Sequence, residues 1–147
     1  MVRLCELVRC PEKYEGTVSV AGWIKTARAS KTIGFIELMD GTCFKTVQVV
    51  YEQDQIEDAL KRAFNTGCAI SVKGELVLTP DAPQPFEIKA ETIAIEGECP
   101  SDYPLQKKRH SLEYLRTIQH LRPRTNTFQA AFRVRSVVAQ ARAKCSE

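Results

Sequence analysis

The sequence predicts a mainly β protein: a five-stranded barrel with a helix between strands three and four, followed by a C-terminal helical appendage. Three observations lead to this fold class. Apolar and polar residues alternate along five segments, which is typical of strands that bury one face. Apolar residues at helical spacing lie between the third and fourth of these segments. After the fifth segment, the alternation stops and only helical patterns follow.

The alternation defines the strands in order. In the first, TVSVAGWIKTA, Val18, Val20 and Ile24 share one parity and should face a core. The second strand, GFIELMDGT, stops at Asp40-Gly41, a dipeptide that favours hairpins. The other three are KTVQVVY, CAISVKGELVLT and FEIKAETIAIEG, with the proline-rich turn PDAPQP between the last two.

One helix interrupts the strands, and two follow them. In QDQIEDALKRAFNTG, Ile56, Leu60 and Phe64 recur at helical spacing, and Gly67 can end the helix. Three strands, a helix and two strands are the element order of the OB-fold, a five-stranded barrel. The later helices are predicted in SLEYLRTIQ, with Ser111 as N-cap, and in FQAAFRVRSVVAQARAK.

Composition and charge limit the classes of function. The 147 residues are 44% hydrophobic and 27% charged, as in globular proteins, and no apolar run approaches the ~18 residues that cross a bilayer. The first residues lack a signal peptide's hydrophobic stretch, so we expect a cytoplasmic protein with no membrane partner. Residues 1–100 have 11 Lys/Arg against 15 Asp/Glu, and residues 101–147 have 10 against 3. This asymmetry indicates two regions with different electrostatic properties.

The cysteines and histidines do not form the pattern of a metal site. His110 and His120 lie ten residues apart without ligand-spaced partners, and no two cysteines have C-x-x-C spacing. We therefore predict no metal site. We also expect reduced thiols, since the sequence shows no secretory signal, for Cys5, Cys10, Cys43, Cys68, Cys99 and Cys145.

Strand parity also identifies candidate binding residues. Phe35 in strand two, Gln48 in strand three and Glu87 in strand five alternate with apolar neighbours, so each should face away from the core. In OB-folds the outer face of strands two and three binds single-stranded oligonucleotides, and an exposed aromatic ring there can stack on a base. A glutamine amide offers a donor and an acceptor to a base edge, whereas a carboxylate only accepts.

Basic residues near the end of strand one extend this surface. Lys25, Arg28 and Lys31 are placed to contact phosphates. Each of these residues also has a structural explanation, because outward polar side chains are commonly only solvated and an outward phenylalanine commonly packs under a loop. The combination favours nucleic-acid binding. The alternative is a protein-interaction barrel without RNA binding of its own, and the acidic excess of residues 1–100 supports it, because RNA-binding domains are typically basic.

Two stretches resemble a known family over about residues 16–141. VSVAGWIKTARASKTIGFIELMDGTCFKTVQVV is similar to the N-terminal anticodon-binding domain of asparaginyl-tRNA synthetases, which has a GW…R.SK…F…DG.C…QVV pattern. YPLQKKRHSLEYLRTIQHLRPRTNTF resembles the hinge and the start of the catalytic domain of those enzymes. The related aspartyl- and lysyl-tRNA synthetases of class II have an RYLDL-type sequence in place of HLRPRTN, so the resemblance favours the asparaginyl family.

The resemblance implies a function. Family members join asparagine to its tRNA with ATP and magnesium, and their OB domain grips the anticodon loop. It implies that Phe35 stacks on the central anticodon uridine, that Gln48 hydrogen-bonds this base, and that Glu87 and Arg28 lie with the neighbouring base. The chain is therefore predicted to be a tRNA anticodon-binding module with these nucleic-acid-binding residues: Arg28, Phe35, Gln48, Glu87, Lys25 and Lys31.

The resemblance also implies a domain organisation. Residues 1–98 correspond to the N-terminal segment and OB-fold domain, 99–125 to the hinge, and 126–147 to the start of the class II catalytic domain. Motif 1, which builds the family's homodimer interface, is incomplete here, and motifs 2 and 3 are missing. We therefore expect impaired dimerisation, no catalytic residue, no ATP or Mg²⁺ cofactor, and no aminoacylation by this chain alone. An excised fragment, a truncated gene, a degenerate duplicate and a portion of an intact enzyme are all compatible with the sequence.

Overall fold

The computed structural model describes residues 1–145, which divide into two compact units, Met1–Lys107 and a second that begins at Lys108. The strands are β1 (Gly16–Ala29), β2 (Ile33–Met39), β3 (Val47–Glu52), β4 (Ala69–Leu78) and β5 (Phe86–Gly97). The α-helices are α1 (Leu4–Arg9), α2 (Asp58–Arg62), α3 (Leu112–Thr117) and α4 (Asn126–Cys145). Short 3-10 helices span Pro11–Tyr14 and Arg122–Arg124.

The five strands close into a barrel in the order β1–β2–β3–β5–β4. Neighbouring strands are antiparallel except β3 and β5, which pair in parallel through Val49–Ile88 and Val50–Lys89. With α2 between β3 and β4 and helices after β5, the predicted fold class is confirmed.

Alternating apolar residues from all five strands fill the barrel. Burial of each such side chain contributes roughly 1.5–3 kcal/mol relative to exposure, so the alternation both selects the buried face and stabilises it. These buried strand residues include Val18, Val20, Ile24, Ile36, Leu38, Val47, Val49, Ile70, Val72, Leu76, Phe86 and Ile88.

The N-terminal helix α1, which the residue pattern does not predict, adds two fully buried leucines to this core. Its first turn is capped by the loop that joins β2 to β3. The Leu4 amide donates to the Asp40 carboxylate at 2.8 Å, and the Cys5 amide donates to the Thr42 hydroxyl at 3.1 Å. The hairpin predicted at Asp40-Gly41 does form, but through a longer loop of residues 40–46. In this loop the Asp40 side chain caps α1.

The helix between β3 and β4 is shorter than predicted, because α2 covers only Asp58–Arg62. Ile56 and Phe64, predicted on its apolar face, are buried from the flanking loops instead. Phe64 packs edge-on against Tyr51, with ring centroids 5.5 Å apart. Gly67 has a φ of 91° in the turn that leads to β4, so it does not end α2 itself.

The second unit contains α3 and α4. Ser111 caps α3 as predicted, because its hydroxyl oxygen accepts from the Tyr114 amide at 3.2 Å. The guanidinium of Arg122 lies over the rings of Phe128 and Phe132, with its carbon 4.8 and 5.7 Å from the two centroids. Exposed apolar side chains along α4 are Phe132, Val134, Val137 and Val138. Across the part of the chain that is described, no helix has the length and apolarity needed to cross a membrane.

Candidate nucleic-acid interface

A β-bulge in β1 determines which of its side chains reach the outer face of the barrel. Between Ile24 and Thr26 the pairing of β1 with β2 shifts by one residue, which leaves Lys25 as the extra residue. A one-residue shift exchanges the faces of a strand, so even-numbered residues face outward after the bulge. Arg28 is therefore exposed opposite Phe35, whereas an unbroken alternation from the buried Ile24 would turn it inward.

Phe35 lies half-buried on the outer face of β2, between the buried residues Gly34 and Ile36. Directly across from it on β1 is Arg28, whose guanidinium carbon is 5.0 Å from the centroid of the ring. This distance is within the ~6 Å at which a cation is attracted to an aromatic face. The contact holds the guanidinium of Arg28 over the ring of Phe35 on the outer face of the barrel.

Phe35 belongs to a row of outward residues that crosses four strands. It pairs with Arg28 on β1 and with Val50 on β3, and Val50 pairs with Lys89 on β5. We call Arg28, Phe35, Val50 and Lys89 the cationic row. Because adjacent strands lie ~4.8 Å apart, the backbones at the two ends of the row are about 14 Å apart along the sheet.

A second row lies two residues away from the cationic row along each strand, or about 7 Å. Thr26 pairs with Glu37, and Glu37 pairs with Gln48. Gln48 and Glu87 directly precede the paired residues Val49 and Ile88 on parallel strands, so they are neighbours as well. We call Thr26, Glu37, Gln48 and Glu87 the acidic row. In this row the Gln48 amide lies between two carboxylates.

Comparison with known protein families fits this geometry. A family model described as OB-fold nucleic acid binding domain (tRNA_anti-codon) matches residues 18–96, more than half of the chain. The chain belongs to this family of OB-fold nucleic acid binding domains. The matched range includes both rows and ends within β5.

Two relatives resemble this OB-fold domain and the helices that follow it. The chain is 60% identical to an asparagine–tRNA ligase of Desulfitobacterium hafniense (strain Y51) over 133 residues, 89% of the chain and 28% of that protein. It is 56% identical to an asparagine–tRNA ligase of Alkaliphilus oremlandii over 135 residues, 91% of the chain and 29% of that protein. The predicted resemblance to asparaginyl-tRNA synthetases is therefore confirmed, and the chain spans less than a third of the length of these relatives.

A solved structure shows the same fold. The crystal structure of asparaginyl-tRNA synthetase from Pyrococcus horikoshii complexed with asparaginyl-adenylate has a TM-score of 0.82 to this chain at 22% sequence identity. The superposition covers 97% of the chain and 33% of that structure. This OB-fold domain and its appended helices thus occur together within a longer chain.

The two rows of the OB-fold domain contain four of the six predicted site residues. Arg28 and Phe35 lie in the cationic row, and Gln48 and Glu87 lie half-buried in the acidic row. The outward placement of Phe35, Gln48 and Glu87 agrees with the parity argument, while their binding roles stay predictions. The structure explains how Arg28 reaches the outer face beside Phe35. Its assignment to a base came from the family resemblance alone.

The other two predicted residues lie outside the rows. Lys25 is the half-buried bulge residue, and its carbonyl oxygen accepts from the Thr66 hydroxyl at 3.4 Å. Lys31 is exposed in the turn between β1 and β2, beyond the Arg28–Phe35 pair. Both are closer to the β1 end of the cationic row than to β5, so any phosphate contacts they make lie at that end.

Two charged residues of the rows are missing from the sequence prediction. Glu37 has the parity of Phe35, and Lys89 has the parity of Glu87, so the alternation contained the signal for both. Within residues 1–145, no ion pair joins the charged side chains of the two rows, and these groups are accessible to a ligand. The outer face thus combines a ring, two cations, two carboxylates and an amide, a set suited to noncovalent recognition of bases and phosphates.

Proposed function

We propose that this chain is the anticodon-binding module of an asparaginyl-tRNA synthetase and that its two rows bind the anticodon loop of a tRNA. The observation that carries the proposal is the Arg28–Phe35 pair on the outer face, one row away from Gln48 and its two flanking carboxylates. The match to the nucleic acid binding family and the 60% identity to an asparagine–tRNA ligase support it.

In this proposal the residues of the two rows contact different parts of the anticodon loop. Phe35 stacks on the central anticodon base, an interaction worth ~1–3 kcal/mol, and Arg28 contacts the neighbouring nucleotide. Gln48 hydrogen-bonds the edge of the stacked base, and Glu87 accepts an N–H from the neighbouring base. A base that presents no donor leaves a desolvated carboxylate unpaired at a cost of roughly 1–3 kcal/mol, which gives the site its sequence preference.

We further propose that asparagine attachment belongs to the longer enzymes as a whole. In them ATP and Mg²⁺ act elsewhere, and the residues described for this chain contribute the selection of tRNA. Such a role is compatible with the expected cytoplasmic location.

Binding of tRNA transcripts tests the proposal. The dissociation constant is measured by filter binding at about 50 mM salt, where phosphate contacts are strong, for an asparagine tRNA transcript and for a transcript with a changed central anticodon base. We expect the cognate transcript to bind on the order of tenfold more tightly, because one mismatched base typically costs ~1–3 kcal/mol. We also expect both affinities to fall as salt rises.

Two outcomes would contradict the proposed function, each in a different way. Equal affinity for the two transcripts would overturn anticodon readout. A barrel that serves only protein interaction should bind neither transcript at low salt, and that result would favour the alternative function.

A further inference from the structure

The cationic row ends at Lys89, a residue to which neither strand parity nor the family resemblance assigned a role. We propose that Lys89 binds a phosphate and positions the RNA backbone across the barrel, from β1 to β5. This inference rests on the proposed function and deepens it, because it assigns a path to the backbone and a positioning residue to its far end.

The first support is the orientation of the side chain. Lys89 is exposed on β5 between the buried residues Ile88 and Ala90, so its stem must project away from the core. Its strand partners are Val50 on β3 and Glu75 on β4. No hydrogen bond or ion pair engages its ammonium group among residues 1–145, although Glu75 lies directly opposite.

The second support is that the row has a cation on each side of the ring, one strand away at Arg28 and two strands away at Lys89. Arg28 lies on one side of Phe35, and Val50 and then Lys89 lie on the other. A nucleotide within a chain carries a phosphate on each side of its sugar, so a base stacked on Phe35 brings two phosphates to the surface. Arg28 serves only the β1 side. The flexible four-carbon stem and point charge of a lysine suit a phosphate on the other side.

The third support is the neighbouring acidic row. Glu37 and Glu87 lie about 7 Å from the cationic row and repel phosphates, at least at moderate ionic strength where the screening length is ~10 Å. Phosphates are therefore unfavourable over the acidic row, whereas base edges with N–H donors are favourable there. Glu75, opposite Lys89 on β4, likewise disfavours phosphates beyond the β5 end of the cationic row. The charges therefore favour a backbone path along this row between β1 and β5, with the bases directed toward Gln48.

Charge-removing variants of two lysines test the inference. Lys89→Gln removes the proposed contact, and Lys73→Gln removes the same charge from an exposed residue of β4, a strand that pairs with neither β2 nor β3. The dissociation constant for tRNA is measured over a series of salt concentrations for the cognate and the anticodon-changed transcript. Lys89→Arg, which restores a cation, completes the set.

We expect Lys89→Gln to weaken binding several-fold and to reduce the salt slope by about one, as the loss of one phosphate contact does. The loss should be the same for both transcripts, because a phosphate carries no sequence information. Lys73→Gln should leave both quantities near those of the wild type, and Lys89→Arg should restore the slope.

Two results would overturn the role of Lys89 while the proposed function stands. One is that the wild type discriminates between the two transcripts as expected, but Lys89→Gln and Lys73→Gln have identical salt slopes. The other is a Lys89→Gln loss that falls mainly on the cognate transcript with an unchanged slope, which would indicate a base contact. A wild-type chain that binds neither transcript would overturn both proposals together.

Discussion

Arg28 and Phe35 face each other across β1 and β2, with the guanidinium carbon 5.0 Å from the centroid of the ring. The contact depends on the bulge at Lys25, which turns Arg28 to the side of the sheet where Phe35 lies. The ring is only half-buried and Arg28 is exposed, so a ligand can reach the pair from solvent.

The ring of Phe35 should contribute a large share of the affinity for tRNA. Phe35→Ala is expected to weaken tRNA binding by roughly 1–3 kcal/mol, the range for one lost base stack. Phe35→Tyr keeps the π-face and serves as the matched control, and Phe35→Leu keeps apolar volume without that face. Filter binding should rank the alanine and leucine variants well below the tyrosine variant. Equal affinity of all four proteins would remove Phe35 from the interface.

Gln48 should affect specificity more than affinity. Its amide can both donate a hydrogen bond to a base edge and accept one from it, so Gln48→Ala should narrow the ratio between the affinities for cognate and anticodon-changed tRNA. Gln55→Ala, at an exposed residue in the loop after β3, is the matched control and should preserve the ratio. If Gln48→Ala weakens the binding of both transcripts by the same factor, the Gln48 side chain only positions the RNA backbone.

The attachment of α1 to the barrel should depend on one carboxylate. Asp40 accepts hydrogen bonds from the Leu4 amide at 2.8 Å and from the amide and hydroxyl of Thr42 at 2.8 and 2.6 Å. Asp40→Ala should therefore lower the free energy of unfolding by about 0.5–2 kcal/mol, as loss of a helix cap does. Urea unfolding measures this, with Asp81→Ala in the exposed β4–β5 turn as the control. Similar losses in the two variants would show that net charge, and not the cap, matters.

The buried thiol of Cys68 should react more slowly with an alkylating reagent than the exposed thiol of Cys145. Burial raises the pKa of the Cys68 thiol, with smaller contributions from Cys99 and Glu98, whereas Cys145 is exposed. Since the thiolate is the nucleophile, iodoacetamide near pH 8 should modify Cys145 on the order of tenfold faster than Cys68. Peptide mass spectrometry measures both rates, and equal rates would contradict the burial of Cys68.

The same pKa shift predicts how stability depends on pH. The folded-state pKa of the Cys68 thiol lies above its unfolded value, so the folded state binds the proton more tightly. The resulting stability is complete below the unfolded pKa of about 8.5 and is lost as the pH rises through the folded-state value. Urea unfolding between about pH 7 and pH 10 should show a smaller decline for Cys68→Ala than for the wild type.

Much of the barrel follows from local pattern. Phe35, Gln48 and Glu87 could be placed because the residues on either side of each are apolar and buried, and burial stabilises apolar residues on one parity of a strand. Lys89 follows from the same rule, although only the parallel pairing of β3 with β5 puts it in line with Phe35.

Other features depend on contacts that no local pattern contains. The bulge at Lys25 occurs where the residues of β1 are mostly polar or small, so the pattern does not reveal the change of face. The N-terminal helix α1 is only six residues long and depends on Asp40 and Thr42, which are distant in the sequence. The predicted helix between β3 and β4 is too long because Ile56 and Phe64 are buried by tertiary packing, which helical spacing cannot distinguish from a helix face.

The parallel closure of the barrel has a consequence for biosynthesis. The hairpin of β2 and β3 joins residues that are close in sequence, whereas Val49 and Ile88 meet only after β4 and β5 have been made. Local pairings form early and distant ones late. The strand that carries Glu87 and Lys89 is therefore the last strand of the barrel to be made, and the two rows are complete only when β5 has paired with β3.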